Sequence, residues 1–206
     1  INDALDHSRE WLEETWEDIN SNFEPTPPEN PVSPCDSALT PEEAQALHDQ
    51  MAAQEDIPFD YPVDCCYARA QRMSDLMTAQ GIPNQRAWAY GGLRPTQPDG
   101  SAVTFAGNQV TWGYHVAPTV RVKGADGTCR SMVIDPSLRD HPMTISEWEG
   151  IMGGVTSSAT SGPNVFYRTP SGAQYTQGDR GVGNITTETA FDNHVASRDN
   201  ALGVTE

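Results

Sequence analysis

Asp64-Cys65-Cys66-Tyr67-Ala68-Arg69-Ala70-Gln71-Arg72-Met73 places a pair of thiols at the start of an amphipathic helix. Ala70, Met73 and Met77 continue the Cys66 face at helical spacing, and Gly81 with Pro83 supplies a stop, so a helix is expected from about Asp64 to Gln80. Asp64 suits the N-cap position and would put Cys66 in the first turn. A helix N-terminus stabilises negative charge, which biases a cysteine there toward the reactive thiolate. Neighbouring helical residues point about 100° apart, so only one of the two thiols can face a cleft. The stripe shared with Ala70 and Met73 selects Cys66.

A thiolate nucleophile needs a base and the base needs an orienting group. His115 lies in an apolar, strand-like run from Val110 to Val122, and Asp135 closes a second run, Met132-Val133-Ile134. His7 and His48 fall on acidic helices, while His141 and His194 sit beside polar loop signals, so His115 is the candidate base and Asp135 its orienting carboxylate. Each residue also has a plainer use. A cysteine is commonly buried filler or half of a disulfide, and Asp-Pro commonly starts a turn. The ordered set is what points to chemistry. Trp112, three residues before His115, falls on the opposite face of a regular strand, where it walls a cleft or fills core.

Outward from this centre, Leu5, Leu12, Trp16, Ile19 and Phe23 form one stripe of an acidic helix over 4–23. Pro25-Thr26-Pro27-Pro28 and Pro31 to Pro34 make 24–38 a stiff connection. Thr40-Pro41-Glu42-Glu43 is a capping box opening a helix to about Gln54. Strand signals cover 86–90, 102–105, 109–117, 119–123 and 130–134, with Asp126-Gly127 as the hairpin turn between the last two. Thr144 and Glu147 cap a short helix carrying Trp148 and Ile151. Residues 153–163 read as loop, Val165-Phe166-Tyr167 as a strand, and the chain beyond 176 as irregular. The expectation is one α+β domain over 1–206. A central antiparallel sheet packs on the Cys66 helix, with a helical portion at 1–54, a core at 55–175 and a tail at 176–206.

The chain carries 29 acidic residues against 12 basic ones, a net charge of -17. That balance repels nucleic acid and anionic membrane surfaces. It also keeps a secreted or salt-adapted protein in solution. No apolar run approaches the roughly 18 residues that span a bilayer. The start at Ile1, without a leader pattern, suggests a processed N-terminus. Cys35, Cys65, Cys66 and Cys129 match no zinc spacing. With Cys66 free, the other three allow one disulfide and one spare thiol, in a pairing the sequence leaves open. Asn184-Ile185-Thr186 matches a glycosylation sequon.

Three segments together resemble the bacterial protein-glutaminases, the protein-glutamine deamidases. Asp64 to Met73 resembles their nucleophile segment, Val110-Thr111-Trp112-Gly113-Tyr114-His115-Val116-Ala117 their histidine strand, and Val133-Ile134-Asp135-Pro136-Ser137-Leu138 their aspartate segment. Val165-Phe166-Tyr167-Arg168-Thr169-Pro170-Ser171 is similar to a later stretch. The likeness covers about 60–175. It implies Cys66 as nucleophile, His115 as base and Asp135 as orienting carboxylate, with Trp112 and Tyr114 expected against the substrate. It also implies a fold like papain-like proteases and transglutaminases, secretion, an inhibitory pro-segment, and no metal or organic cofactor. The expected partners are glutamine-bearing proteins and peptides, met by a monomer. Cys65 stands where the family carries a small residue. The alternatives are a transglutaminase-like acyl transferase, a papain-like peptidase and a non-catalytic acidic binding or inhibitor module.

Overall fold

The computed structural model describes residues 35–179 and 185–204, which fall in one compact unit. The helix expected at 4–23, most of the proline-rich connection and Asn184 lie outside the described residues. In chain order the elements are α1 (Pro41–Ala52), α2 (Cys66–Ala79), β1 (Asn84–Leu93), β2 (Thr104–Phe105), β3 (Asn108–Gln109), β4 (Trp112–Lys123) and β5 (Cys129–Val133). They continue with β6 (Met143–Thr144), α3 (Ile145–Met152), β7 (Val155–Ser161), β8 (Tyr167–Arg168), β9 (Gln174–Tyr175) and α4 (Thr187–Leu202).

The apolar run around His115 forms one long strand, β4, in the middle of a sheet ordered β6-β5-β4-β1-β7 with every neighbour antiparallel. Two strands were expected here, broken at Pro118, and the break does not occur. Pro118 sits one step past the last ladder pair with β5, Thr119 to Val133. Its carbonyl still accepts from Ile134 N at 2.9 Å, and on the other side it stays paired with Arg86 of β1, so the strand runs through it. Asp126-Gly127 does turn the chain between β4 and β5, with the Asp126 carboxylate accepting from Thr128 N at 3.0 Å.

The two faces of the sheet bury different residues, as the strand period of two requires. Val120 and Val122 pack with Leu47 and Met51 of α1 and Met73 and Met77 of α2. Ala87, Ala89, Ala117 and Val133 pack with Trp148 and Met152 of α3. Each large apolar side chain so buried contributes about 1.5–3 kcal/mol. The α1 capping box forms as expected, with Glu43 N donating to Thr40 Oγ1 and Thr40 N to Glu43 Oε2. Thr144 likewise caps α3. Cys35 and Cys129 form the disulfide, tying the segment before α1 to the start of β5.

Four other expectations give way. The strand signal over 102–105 yields only the two-residue β2, hydrogen-bonded to β3. The stretch 153–163 contains an edge strand, β7, paired with β1. Its sequence, Val-Thr-Ser-Ser-Ala-Thr-Ser, is polar because most of its side chains face water, while its backbone completes the sheet. Val165-Phe166-Tyr167 contributes only its last residue to β8, and Phe166 is core. The expected irregular tail contains α4, capped by Thr186 and ended by Gly203 in a left-handed conformation. It buries only Thr187, Ala190 and His194, too narrow and too polar a stripe to stand out as a helical repeat.

Candidate active site

Helix α2 begins at Cys66, and its N-cap is Cys65 rather than the expected Asp64. Cys65 is left-handed, φ 70°, a conformation costly for a residue with a Cβ. The Asp64 carboxylate instead accepts from Cys65 N at 2.6 Å. The two thiols part company, as their helical angle demands. Cys66 joins Ala70, Trp88, Tyr90 and Val116, whereas Cys65 joins Ala68, Phe166 and Ala190. Both are free of disulfides. Cys65 Sγ faces the Ala190 carbonyl at 3.6 Å, and burial pushes its thiol up to about 12. It is a poor nucleophile.

His115 and Asp135, brought together by β4 and the end of β5, are 1% and 2% exposed. His115 Nε2 lies 2.8 Å from Asp135 Oδ2. Trp148 Nε1 donates to the same oxygen at 2.8 Å, and Ser137 donates to Oδ1 through Oγ at 2.5 Å and N at 3.3 Å. Burial alone would raise this carboxyl. The His115 charge and these donors overcome it and hold Asp135 well below its ordinary value. An ionised carboxylate only accepts, so His115 Nε2 carries the hydrogen. Burial would likewise lower the imidazole, but the charge and hydrogen bond of Asp135 outweigh it and lift His115 to about 9, the nearby Cys66 adding to the rise. Nδ1 is left buried and without a hydrogen-bond partner.

Trp112 stacks on the His115 ring, centroids 4.4 Å apart, and does not point away from it. Trp112 is the first residue of β4, beside a register shift in which β1 sets two residues, Gly91 and Gly92, opposite the single Gly113. Gly91 and Gly154 make the irregular edge possible: a Cβ on Gly91 would lie 2.2 Å from the Gly154 carbonyl oxygen. Trp112 Nε1 donates to Pro62 O at 2.8 Å. Cys66, Trp112 and Tyr114, with Val63, Asp64, Thr111 and Gly113, line a cavity of about 150 Å³. Thus the expected nucleophile and both expected substrate contacts share one opening, with the His115–Asp135 pair behind Trp112.

The chain aligns over residues 44–152 with a family model described as glutaminase. It belongs to the glutaminase family. Among solved structures it is similar to a mutant pro-protein-glutaminase, with TM-score 0.62 and 29% identity over 76% of this chain and 58% of that one. The pro-protein-glutaminase crystal structure gives TM-score 0.58 and 31% identity over 68% and 53%. Protein-glutaminase from Chryseobacterium proteolyticum gives TM-score 0.58 and 29% identity over 68% and 80%. The chain therefore spans little more than half the length of the two pro-proteins. No curated protein matches it.

In this glutaminase-family chain the other described histidines do different work. His48 is buried against the Arg139 carbonyl and His194 against the Tyr61 carbonyl, both lowered first by burial. His141 is a surface residue beside Asp140 and Glu147. His194 proves to be mid-helix rather than beside a loop. The supporting residues Trp148 and Ser137 are not identifiable as site residues from sequence. The available signal is that a buried indole seeks an acceptor, and Asp135 offers one.

Proposed function

We propose that this protein hydrolyses the side-chain amide of glutamine in proteins and peptides, giving glutamate and ammonia. The supporting observation is the buried imidazole with one nitrogen on an ionised carboxylate and the other unpartnered, close to a thiol at a helix start. Family membership supplies the substrate class.

Cys66 is the nucleophile, His115 the acid and base, and Asp135 the group that fixes the ring. The thiolate attacks the amide carbon, and the carbonyl oxygen takes the negative charge. The first N–H groups of a helix have no partner within it, so Cys66 N–H is available to that oxyanion. Imidazolium Nδ1 then gives its proton to the amide nitrogen, the C–N bond breaks and ammonia leaves a thioester on Cys66. Neutral His115 next takes a proton from water, and the hydroxide attacks the thioester carbon. The C–S bond breaks, releasing glutamate and restoring the thiolate–imidazolium pair. Asp135 stays ionised throughout, keeping Nε2 protonated and Nδ1 aimed at the chemistry.

Trp112 and Tyr114 line the opening and contact the substrate on either side of the target amide. The helix-on-antiparallel-sheet arrangement supports a papain- and transglutaminase-like fold, with 1–206 acting as a single monomeric catalytic domain. The Cys35–Cys129 disulfide supports secretion, since such bonds persist in oxidising surroundings. No helix among the described residues is long and apolar enough to cross a membrane. The net charge disfavours nucleic acid as a partner.

The test is ammonia release from a glutamine-containing peptide and from free glutamine, on wild type and Cys66→Ser. Release from the peptide, lost in the variant, is expected. Crosslinked product in place of ammonia would indicate acyl transfer to amines, and new N-termini would indicate a peptidase. Unchanged release by Cys66→Ser would remove the nucleophile assignment.

A further inference from the structure

Cys65 poses a physical problem. A left-handed residue with a side chain costs roughly 1–2 kcal/mol and persists only where its surroundings over-determine it. Here it also sets the direction of the next N–H, that of Cys66. One side chain holds this backbone from inside. Arg69, 2% exposed and one turn into α2, sends Nη1 to the Asp64 carbonyl at 2.8 Å. The same nitrogen reaches Tyr61 O at 3.3 Å and Pro58 O at 3.4 Å.

The peptide unit between Asp64 and Cys65 is thus held at both ends. Its oxygen accepts from Arg69, and its nitrogen donates to the Asp64 carboxylate on the outside. Arg69 also closes the far side of the strained residue, because its own backbone N donates to Cys65 O at 3.1 Å. His194 of α4 adds a second donor to Tyr61 O at 2.9 Å. A buried guanidinium satisfied mainly by carbonyls, with Nη2 unpartnered, is an expensive way to stabilise a loop. All three carbonyls are met by the single nitrogen Nη1, held in place by the buried stem and plane of the guanidinium, a position and direction that the differently shaped ammonium of lysine does not share.

We propose that Arg69 is a positioning residue: it fixes the strained Asp64–Cys65 peptide so that the Cys66 backbone N–H points at the developing oxyanion. This deepens the deamidase reading and rests on it. The step served is the thiolate attack, in which the amide oxygen gains charge. Alkylation of the same thiol by iodoacetamide builds no oxyanion and should not need Arg69.

The experiment compares wild type, Arg69→Lys and Asp64→Ala by kcat and KM for ammonia release from a glutamine peptide. Iodoacetamide alkylation rate at Cys66 and Tm are measured alongside. Loss of an aligned oxyanion donor predicts a fall in kcat of about 10²-fold for Arg69→Lys. KM should stay within about threefold and alkylation within about twofold of wild type, since neither ground-state binding nor the thiol is altered. Asp64→Ala, which releases the same peptide from the solvent side without opening the core, should also lower kcat and decides the matter if Arg69→Lys does not fold; because Asp64 lines the opening, KM and alkylation are compared only in Arg69→Lys. A folded variant with undiminished kcat overturns the inference. So does a fall in alkylation equal to the fall in kcat, or a change in KM alone. Wild type releasing no ammonia removes the deamidase reading itself, whereas an active wild type with equally active variants removes only the role of Arg69.

Discussion

Trp148 Nε1 donates to Asp135 Oδ2 at 2.8 Å, the oxygen that also holds His115. The indole packs at 5.6 Å from the imidazole, so one side chain both walls the ring and feeds its orienting carboxylate. Phenylalanine keeps much of the wall and removes the donor. A hydrogen bond to a buried charge is worth about 1.5–3 kcal/mol, so Trp148→Phe should lower stability by that order in denaturant titration. Turnover should fall too, because the carboxylate is less firmly held. An unchanged denaturation midpoint would deny the bond any weight.

The pH dependence follows from the same pair. His115 is raised from 6.5 to about 9 by Asp135 against the lowering effect of burial. Its stabilising contribution is complete below pH 6.5 and is lost as pH rises through about 9. Asp135, lowered from 3.8, contributes above that value and loses its contribution as pH falls well below it. The alkaline limb of kcat/KM should therefore lie near pH 9. In Asp135→Asn only Cys66 still opposes burial, and the limb should move well below pH 9 with a large fall in rate. A limb that stays near pH 9 in the variant would separate Asp135 from the titration.

Acid should loosen the molecule at a second place. His194 is depressed from 6.5 to about 4, first by burial and then by the Arg69 charge. A depressed base stabilises the fold above pH 6.5, and that contribution is lost as pH falls from there through about 4. His48 is lowered too and contributes in the same direction. Tm should drop across this window, and His194→Gln should flatten part of the drop. A variant profile parallel to wild type would contradict the assignment.

The Cys35–Cys129 bond spans a sequence separation of 94 residues. Loop-closure entropy sets its stabilising effect at up to about 4–5 kcal/mol. The double variant Cys35→Ser/Cys129→Ser should therefore unfold at lower temperature. Activity at 25 °C should survive, because neither residue lines the Cys66 cavity. Loss of activity in a folded double variant would tie the disulfide to the site.

The sequence carried the core of this account wherever local signals were strong. A capping box, an Asp-Gly turn and an apolar run with a histidine each left a pattern that the fold repeats. Elements whose stability is non-local left none. The β7 strand is polar because it is an edge, and α4 shows a weak stripe because it buries small and polar residues. Trp112 stacks on His115 at the end of β4 that lies beside a register shift in β1, and no periodicity in β4 foretells an irregularity in its neighbour. Trp148 meets Asp135 only through the packing of α3 on the sheet. Arg69 reads as one more polar residue of a helix until the carbonyls of 58–64 are seen around it.

The most direct test of the central claim is to acid-quench the enzyme during turnover of a glutamine peptide and find what Cys66 carries. Mass spectrometry of the digest should show the Cys66 fragment heavier by the substrate less ammonia, as a thioester. Deamidation that proceeds with Cys66 unmodified at every time point, and equally well in Cys66→Ser, would contradict the account.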